Sequence, residues 1–584
     1  MLQGFRKPSA KAYPVSILPS LIPAMTTLID PTLRGSGKIT GVFFNAAGDV
    51  AAVASEFPLL AHPRARAAYG GRRLRYRVAL YRRDALVPFA VFDELQYPIN
   101  DVAFHPTDTT VAIGIGSYDG GFLFEGDLIV WNWRDAHGTH VFHHASEVVR
   151  CRYNARGDEL EAWVRPWDEE WGPLADPDTD FDPYDTLFSV RVPAPATGSQ
   201  PVDLSIDPAA IVPADQRAAD DTTNPAHGHE ARLQAWFGVD DCTPRDAIRD
   251  VAWLDDERFA VLHGAFLLEI HVRHGAPVAA HSFAVAGRGA ELLKSKDLLV
   301  HVVETGERTT PFARQDSRLY TLTRDGLRLT QAYDGEFTFS STPQGRVLGR
   351  QNRFNLAGAP PSDVLLDQEA KSEHRLDLGH YDCFNHYIGI RNAPQLFLLQ
   401  GTPASSHERK FLCVVEPDGS VRRLWPILKA DNKPASHAME LCGAYIDDAL
   451  GPGVVISGKH YSPDTTTTYA GFIYRKPLDR DREVWRRKIP ASASAIVSMP
   501  DTGLIAAAFL DGTLQLIDAA SGALRLHAKV RVDQWPTVIF SMDANGRLLL
   551  VGTVDGRIAV LDIDALCKGG DVGAQDAPSI VNLD

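Results

Sequence analysis

IVSMPDTGLIAAAFLDGTLQLID, residues Ile496–Asp518, and VIFSMDANGRLLLVGTVDGRIAVLD, residues Val538–Asp562, are one pattern written twice. Gly503 answers Gly546 at an offset of 43 residues, and Asp511-Gly512 and Asp518 answer Asp555-Gly556 and Asp562 at 44, so one residue is inserted between strands. Each copy holds short apolar runs divided by turn residues. Short strands, turn chemistry and a fixed period of this length predict four-stranded antiparallel units set around a ring, the blades of a β-propeller.

Working back from that pair, similar units fall near 289–333, 336–378, 383–424 and 441–488. Nearer the start, Ile39–Phe44, Val50–Ser55, Tyr76–Tyr81 and Phe89–Phe92 read as one unit. INDVAFHPTDTTVAIGIG (Ile99–Gly116) and DLIVWNW (Asp127–Trp133) supply a second, and Val148–Tyr153, Leu160–Val164 and Thr186–Val192 a third. The turn Asn45-Ala-Ala-Gly48-Asp49 recurs as Asn154-Ala-Arg-Gly157-Asp158, and these residue types tolerate the positive φ a tight hairpin needs. No long 3.6-residue periodicity interrupts the strands, so a parallel α/β fold is not expected. The expected fold is all-β: a propeller of about ten four-stranded antiparallel units, as two propellers side by side with a join near 330–380, one large ring being the alternative.

The expected organisation is an N-terminal segment 1–38, a first propeller region 39–335, a second 336–566 and a flexible tail 567–584. The first region carries an acidic insertion, 168–185, and a loose connection, 203–246, with a short helix near Ala231–Phe237. The last unit has three strands. Its missing outer strand is expected from the N-terminal segment, from Val15–Leu21 or Thr27–Ile29, because joining the ends seals sheet edges that would otherwise invite aggregation.

Lys plus Arg is 59 and Asp plus Glu is 74, a net charge of −15. A nucleic-acid partner needs basic surface to displace counterions, so none is expected. No apolar run reaches membrane-spanning length, so no membrane partner is expected either. Six cysteines are scattered without a CxxC pair, as in a reducing compartment. Arg6, Lys7 and Lys11 precede an apolar run, but Pro14, Pro19 and Pro23 break any signal-like helix. The expected location is the cytoplasm, and the Ala, Arg and Asp usage suggests a bacterial source.

VAFHPTD (Val102–Asp108) resembles the inner strand and turn of WD-repeat blades. DGTLQLID (Asp511–Asp518) and DGRIAVLD (Asp555–Asp562) resemble their third strand, and DLIVWNW is a looser example. The signature dipeptides are degenerate: Gly-His occurs only as Gly228-His229 and Gly379-His380, and the one Trp-Asp, Trp167-Asp168, opens the acidic insertion. The resemblance implies a rigid disc that serves as a platform for other proteins, with no chemistry and no cofactor of its own.

Three stretches are candidate sites. In DEEWGPLADPDTDFDPYD, Asp176, Asp178, Asp180, Asp182 and Asp185 place oxygen ligands as a Ca²⁺ loop does, although Phe181 and Leu187 stand where Gly and Glu are usual. The same loop is also read as a solvated acidic insertion, or as a dock for a basic partner anchored by Trp167, Trp171, Phe181 and Tyr184. His137, His140, His143 and His144 are weak metal candidates, because an extended Val141–His144 puts His140 and His144 on one face and His143 on the other; His227 and His229 are weak as well, because the sequence places no third or fourth ligand beside them. The Gly-rich stretch Ile113–Gly121 follows a strand with no helix after it, so it is read as a flexible loop between strands. No catalytic motif is present. The alternative to a protein-binding platform is a propeller enzyme or small-ligand binder with a metal-containing central pocket.

Overall fold

The computed structural model describes residues 21–22, 27–29, 32–57, 75–95, 97–118, 124–135, 138–143, 146–165, 187–195, 202–203, 211–214, 228–242, 247–274, 276–304, 315–352, 362–379, 381, 386–401, 410–428, 437–461, 471–489, 491–532, 535–569 and 579–582. Ten propeller-like antiparallel sheets follow one another along the chain. Sheet 1 holds Lys38–Phe44, Val50–Phe57, Arg75–Arg82 and Ala90–Leu95. Sheet 2 holds Ile99–Phe104, Thr110–Tyr118, Phe124–Asn132 and Thr139–His140. Sheet 3 holds Val148–Tyr153, Glu159–Val164, Leu187–Pro193 and Ile211–Ala214. After helix α1, His229–Phe237, come sheet 4 (Asp250–Trp253 to Ala276–Ala284), sheet 5 (Arg288–Lys294 to Gly326–Tyr333) and sheet 6 (Phe337–Ser341 to Ser372–Leu376). Sheet 7 (Leu396–Gln400 to Val421–Pro426) has three strands; sheets 8 (His437–Ile446 to Trp485–Ile489), 9 (Ala493–Met499 to Leu524–Val532) and 10 (Ile539–Asn545 to Ile558–Asp562) follow.

Local chemistry sets the hairpins. In sheet 1 the Asn45 side chain accepts the Asp49 and Val50 N–H groups and donates to Asp49 Oδ1 at 2.7 Å, while Gly48 sits at φ 70°. The sheet 3 turn repeats this, with Asn154 donating to Asp158 at 2.7 Å and Gly157 at φ 80°. A Cβ on Gly157 would lie 2.1 Å from His105 Nε2, so this turn also interlocks with the His105-Pro-Thr-Asp108 turn of sheet 2. Gly114 and Gly116 lie inside the strand Thr110–Tyr118, not in a loop. They are small because sheet 3 comes close: a Cβ on Gly116 would lie 2.5 Å from Glu147 Cα.

Sheets 4–10 form a closed circuit. Side chains link 4 to 5 (Leu292 N–H to Asp250, 2.8 Å), 5 to 6 (Phe339 N–H to Glu291, 3.2 Å) and 9 to 10 (Ser494 hydroxyl to Ile539 O, 2.6 Å). Leu348, Leu365, Leu396 and Leu398 share one core between 6 and 7, and Ala444, Val455, Ile496 and Ile505 another between 8 and 9. Gly389–Arg391, which leads into sheet 7, pairs in parallel with Cys442–Ala444 of sheet 8. The circuit closes from 10 back to 4, where the Trp253 N–H donates to Asp543 at 2.7 Å and Val251 and Trp253 pack with Leu550 and Ile558. The stretch 330–380, where a join between rings is expected, holds sheet 6, bonded to sheet 5 and packed on sheet 7.

Sheet 10 is completed at its outer edge by Thr27–Ile29, paired antiparallel with the Ile558–Asp562 strand. This is the expected closure by the N-terminal segment. Residues 567–584, read as a tail, include the strand Ser579–Asn582, laid parallel on Leu524–Val532 of sheet 9, with Leu21–Ile22 beyond it. Helix α2, Ile563–Gly569, follows sheet 10 directly. The connection read at 203–246 supplies the outer strand of sheet 3 and helix α1, which matches the short helix expected there.

Sheets 1–3 form an arc inserted between the closing strand and the first sheet of the ring. Phe57 of sheet 1 packs with Val538, Phe540 and Val554 of the ring. Arg77, 1% exposed, binds Asp93 at 2.6 Å and donates to Gly35 O and Pro536 O, each at 3.0 Å, with its guanidinium over Phe57. Burial opposes its charge, but Asp93 outweighs that and raises its pKa. Arg77→Ala orphans these acceptors at the joint, so we expect a loss of about 2–3 kcal/mol. Limited proteolysis should then cut between arc and ring before the ring itself unfolds; an unchanged urea midpoint would contradict this joint.

Candidate functional site

Where the first strands of the ring meet, the sequence leaves charged residues among apolar ones. Asp250 and Asp543 are fully buried, on the first strands of sheets 4 and 10. Two unpaired carboxylates at such depth would cost several kcal/mol each. They are held by cations from sheet 5 and from the short strand Gly389–Arg391. Arg391 pairs with Asp250, and its other nitrogen lies 3.4 Å from Val251 O and 3.5 Å from Met542 O. Lys294 reaches Asp543 at 2.8 Å. Asn392, at φ 57°, brings its side-chain amide to 3.5 Å from the other Asp543 oxygen. Asn tolerates this left-handed backbone better than most residues.

Both carboxylates also accept a main-chain N–H of the next sheet, and so does Glu291. In the arc Asp101 does the same for the Cys151 N–H at 2.9 Å; burial raises its pKa despite that bond. One acid inside an apolar first strand, as in INDVAF, IRDVAW and FSMDA, is the signal that sequence reading passed over. The acid joins one sheet to the next.

Arg391 thus crosses the centre of the ring. Beside it, Glu291, Lys294, Ser341, Tyr387 and Asn392 line a hollow with room for one or two waters. Glu291 and the fully buried His301 lie 3.5 Å apart behind it. At the centre Arg391 and Lys294 face the carboxylates of Asp250 and Asp543, with Glu291 beside the hollow.

The two faces of the ring differ. On one, first-to-second and third-to-fourth strand turns are bonded together, as Gln368 N–H to Gly345 O, Leu478 N–H to Pro452 O and Ala519 N–H to Gly503 O show. At the opposite strand ends begin the longest connections of the ring: second-to-third in sheets 5, 6 and 8 (304–316, 352–362 and 462–470) and first-to-second in three-stranded sheet 7 (401–410), most of whose residues lie outside the described ones. In sheets 9 and 10 the equivalents are only 510–512 and 554–557, and there the arc sits, on Val538 and Val554.

The acidic insertion is itself such a connection, between Glu159–Val164 and Leu187–Pro193 of sheet 3. Asp176, Asp178, Asp180, Asp182 and Asp185 lie outside the described residues, as do Trp167, Trp171, Phe181 and Tyr184. So do His137, His144 and His227. His140 pairs with Asp127 at 2.5 Å, and His143 lies on a separate two-residue strand. Burial raises the pKa of Asp127, with His140 working against that rise. His229 is buried at the start of α1. Among the described residues no three His, Cys, Asp or Glu side chains gather as a metal site. No described helix is long and apolar enough to cross a membrane. Five of the six cysteines are described, and all five are free thiols.

No protein-family model matches the chain, and no curated protein matches it. Many solved structures do, among them the crystal structure of the computationally designed Ika8 protein. That match has 12% sequence identity and a TM-score of 0.32, over 55% of this chain and 97% of that one. The likeness is too slight to place the chain in a family.

Proposed function

We propose that the chain is a non-catalytic, WD-repeat-like propeller platform that binds other proteins through the face carrying the arc and the long connections. The observation that supports this best is the asymmetry between the faces. One face is closed by short, mutually bonded turns. At the other, the long connections of sheets 5–8 begin and end, and the arc packs there. Binding residues concentrate on loops held by a rigid scaffold, and these are the strand ends from which the long connections start. The paired ion network around Arg391 fits a ring whose centre is structural.

Replacing 401–410 and 462–470 with short Asp-Gly hairpins tests the reading. Affinity capture with the whole chain as bait, followed by mass spectrometry, is expected to return a partner that the shortened variant loses, with the melting temperature kept within a few degrees. A partner retained at equal yield by the shortened, folded variant would move the binding surface elsewhere.

A further inference from the structure

The outer strand of sheet 4, Ala276–Ala284, differs from the other outer edges of the ring. It reads APVAAHSFA and carries no Asp, Glu, Lys or Arg. Every residue from Ala276 to Ser282 is exposed, Val278 to 63%. It pairs with Phe266–Arg273 on one side and, among the described residues, with no strand on the other.

The ring deals with its remaining outer edges in two ways. Two are covered: Leu524–Val532 by Ser579–Asn582, and Ile558–Asp562 by Thr27–Ile29. The others carry charge, such as Glu373 and Arg375 on sheet 6, Arg422 and Arg423 on sheet 7, and Arg486 and Lys488 on sheet 8. Charge on an edge deters strand addition. Ala276–Ala284 carries no charge and, among the described residues, no covering strand. Its one deterrent is Pro277, near its first residue, which leaves Val278–Ala284 free to donate and accept.

We propose that this edge pairs with the same edge of a second copy of the chain, antiparallel over Val278–Ala284, joining two copies of sheet 4 into one eight-stranded sheet. Charge and symmetry select a second copy. The chain carries −15, so two copies repel over most of their surface. This strand is uncharged and exposed on both faces, so copies meet here with the least repulsion. An antiparallel pair of identical edges is self-complementary and uses up both edges, so assembly stops at two. The fold already adds strands edge-on at sheets 9 and 10. A single strand pair is small beside a stable interface, so the dimer is weak, with Kd on the order of 10–100 µM.

Sedimentation velocity of the full chain from about 5 to 200 µM, a range set to bracket that Kd, tests this. The expected result is a concentration-dependent shift from monomer to dimer and nothing larger. Ala280→Lys, at an exposed position, is expected to weaken the dimer at least tenfold with an unchanged melting curve, by setting like charges across the joined edge. Ala280→Val, which favours extended backbone, should dimerise at least as well as the unaltered chain. A monomer throughout, species beyond the dimer, a folded Ala280→Lys that dimerises normally, or a weaker Ala280→Val would each overturn the proposal.

Discussion

Asp543→Ala is expected to lower the unfolding free energy by about 3–5 kcal/mol, the largest effect of any single side chain in the ring. The carboxylate is fully buried and joins the last sheet to the first. One oxygen takes the Trp253 N–H at 2.7 Å and Lys294 at 2.8 Å, and the other faces Asn392. Lys294 is 30% exposed and can turn to water when its partner goes. The Trp253 N–H, packed among Val251, Leu550 and Ile558, cannot, so the cost lies mainly in the orphaned donor and the loosened seam. Asp543→Asn retains an oxygen acceptor and should lose less. Urea unfolding followed by fluorescence gives both values; a loss below about 1 kcal/mol for the alanine variant would mean that the seam is held by apolar packing alone.

Deleting residues 1–31 comes second. It strips Thr27–Ile29 from sheet 10 and Leu21–Ile22 from the edge beyond sheet 9. The lost ladder bonds and the newly bared edge should together cost about 3 kcal/mol. The second symptom is aggregation, since Ile558–Asp562 would become an open, largely apolar edge. Light scattering during a thermal ramp should show earlier onset for the deletion, and adding Lys within Ile558–Asp562 should delay it. A deletion that melts and scatters as the whole chain does would show that the closing strand contributes nothing.

The strands and hairpins were legible because their causes are local. Asn45 bonds Asp49 and Asn154 bonds Asp158 within five residues, so the turns are written in the sequence beside the strands they join. The apolar runs Ile505–Phe509 and Leu549–Thr553 are buried throughout, as strands packed on both faces must be. The closing strand was legible for another reason: a three-stranded last unit leaves an edge that something must cover. The grouping into an arc and a ring was not legible, because it rests on meetings between residues near 250 and residues near 540. The central network escaped for the same reason. Asp250, Lys294, Arg391 and Asp543 come from four different sheets, and none carries a motif. The acidic insertion drew attention by composition, which speaks of charge and not of position.

The strand that completes sheet 10, Thr27–Ile29, is made more than 500 residues before its partner, Ile558–Asp562. At about 5–20 residues per second on the ribosome, Thr27–Ile29 waits roughly half a minute to two minutes for it. The arc can fold in that interval, while six sheets of the ring accumulate as an open stack with bare ends. Newly made protein should therefore depend on chaperones until Ile558–Asp562 has been made, and chains that stop short of it should be degraded quickly, however stable their finished sheets.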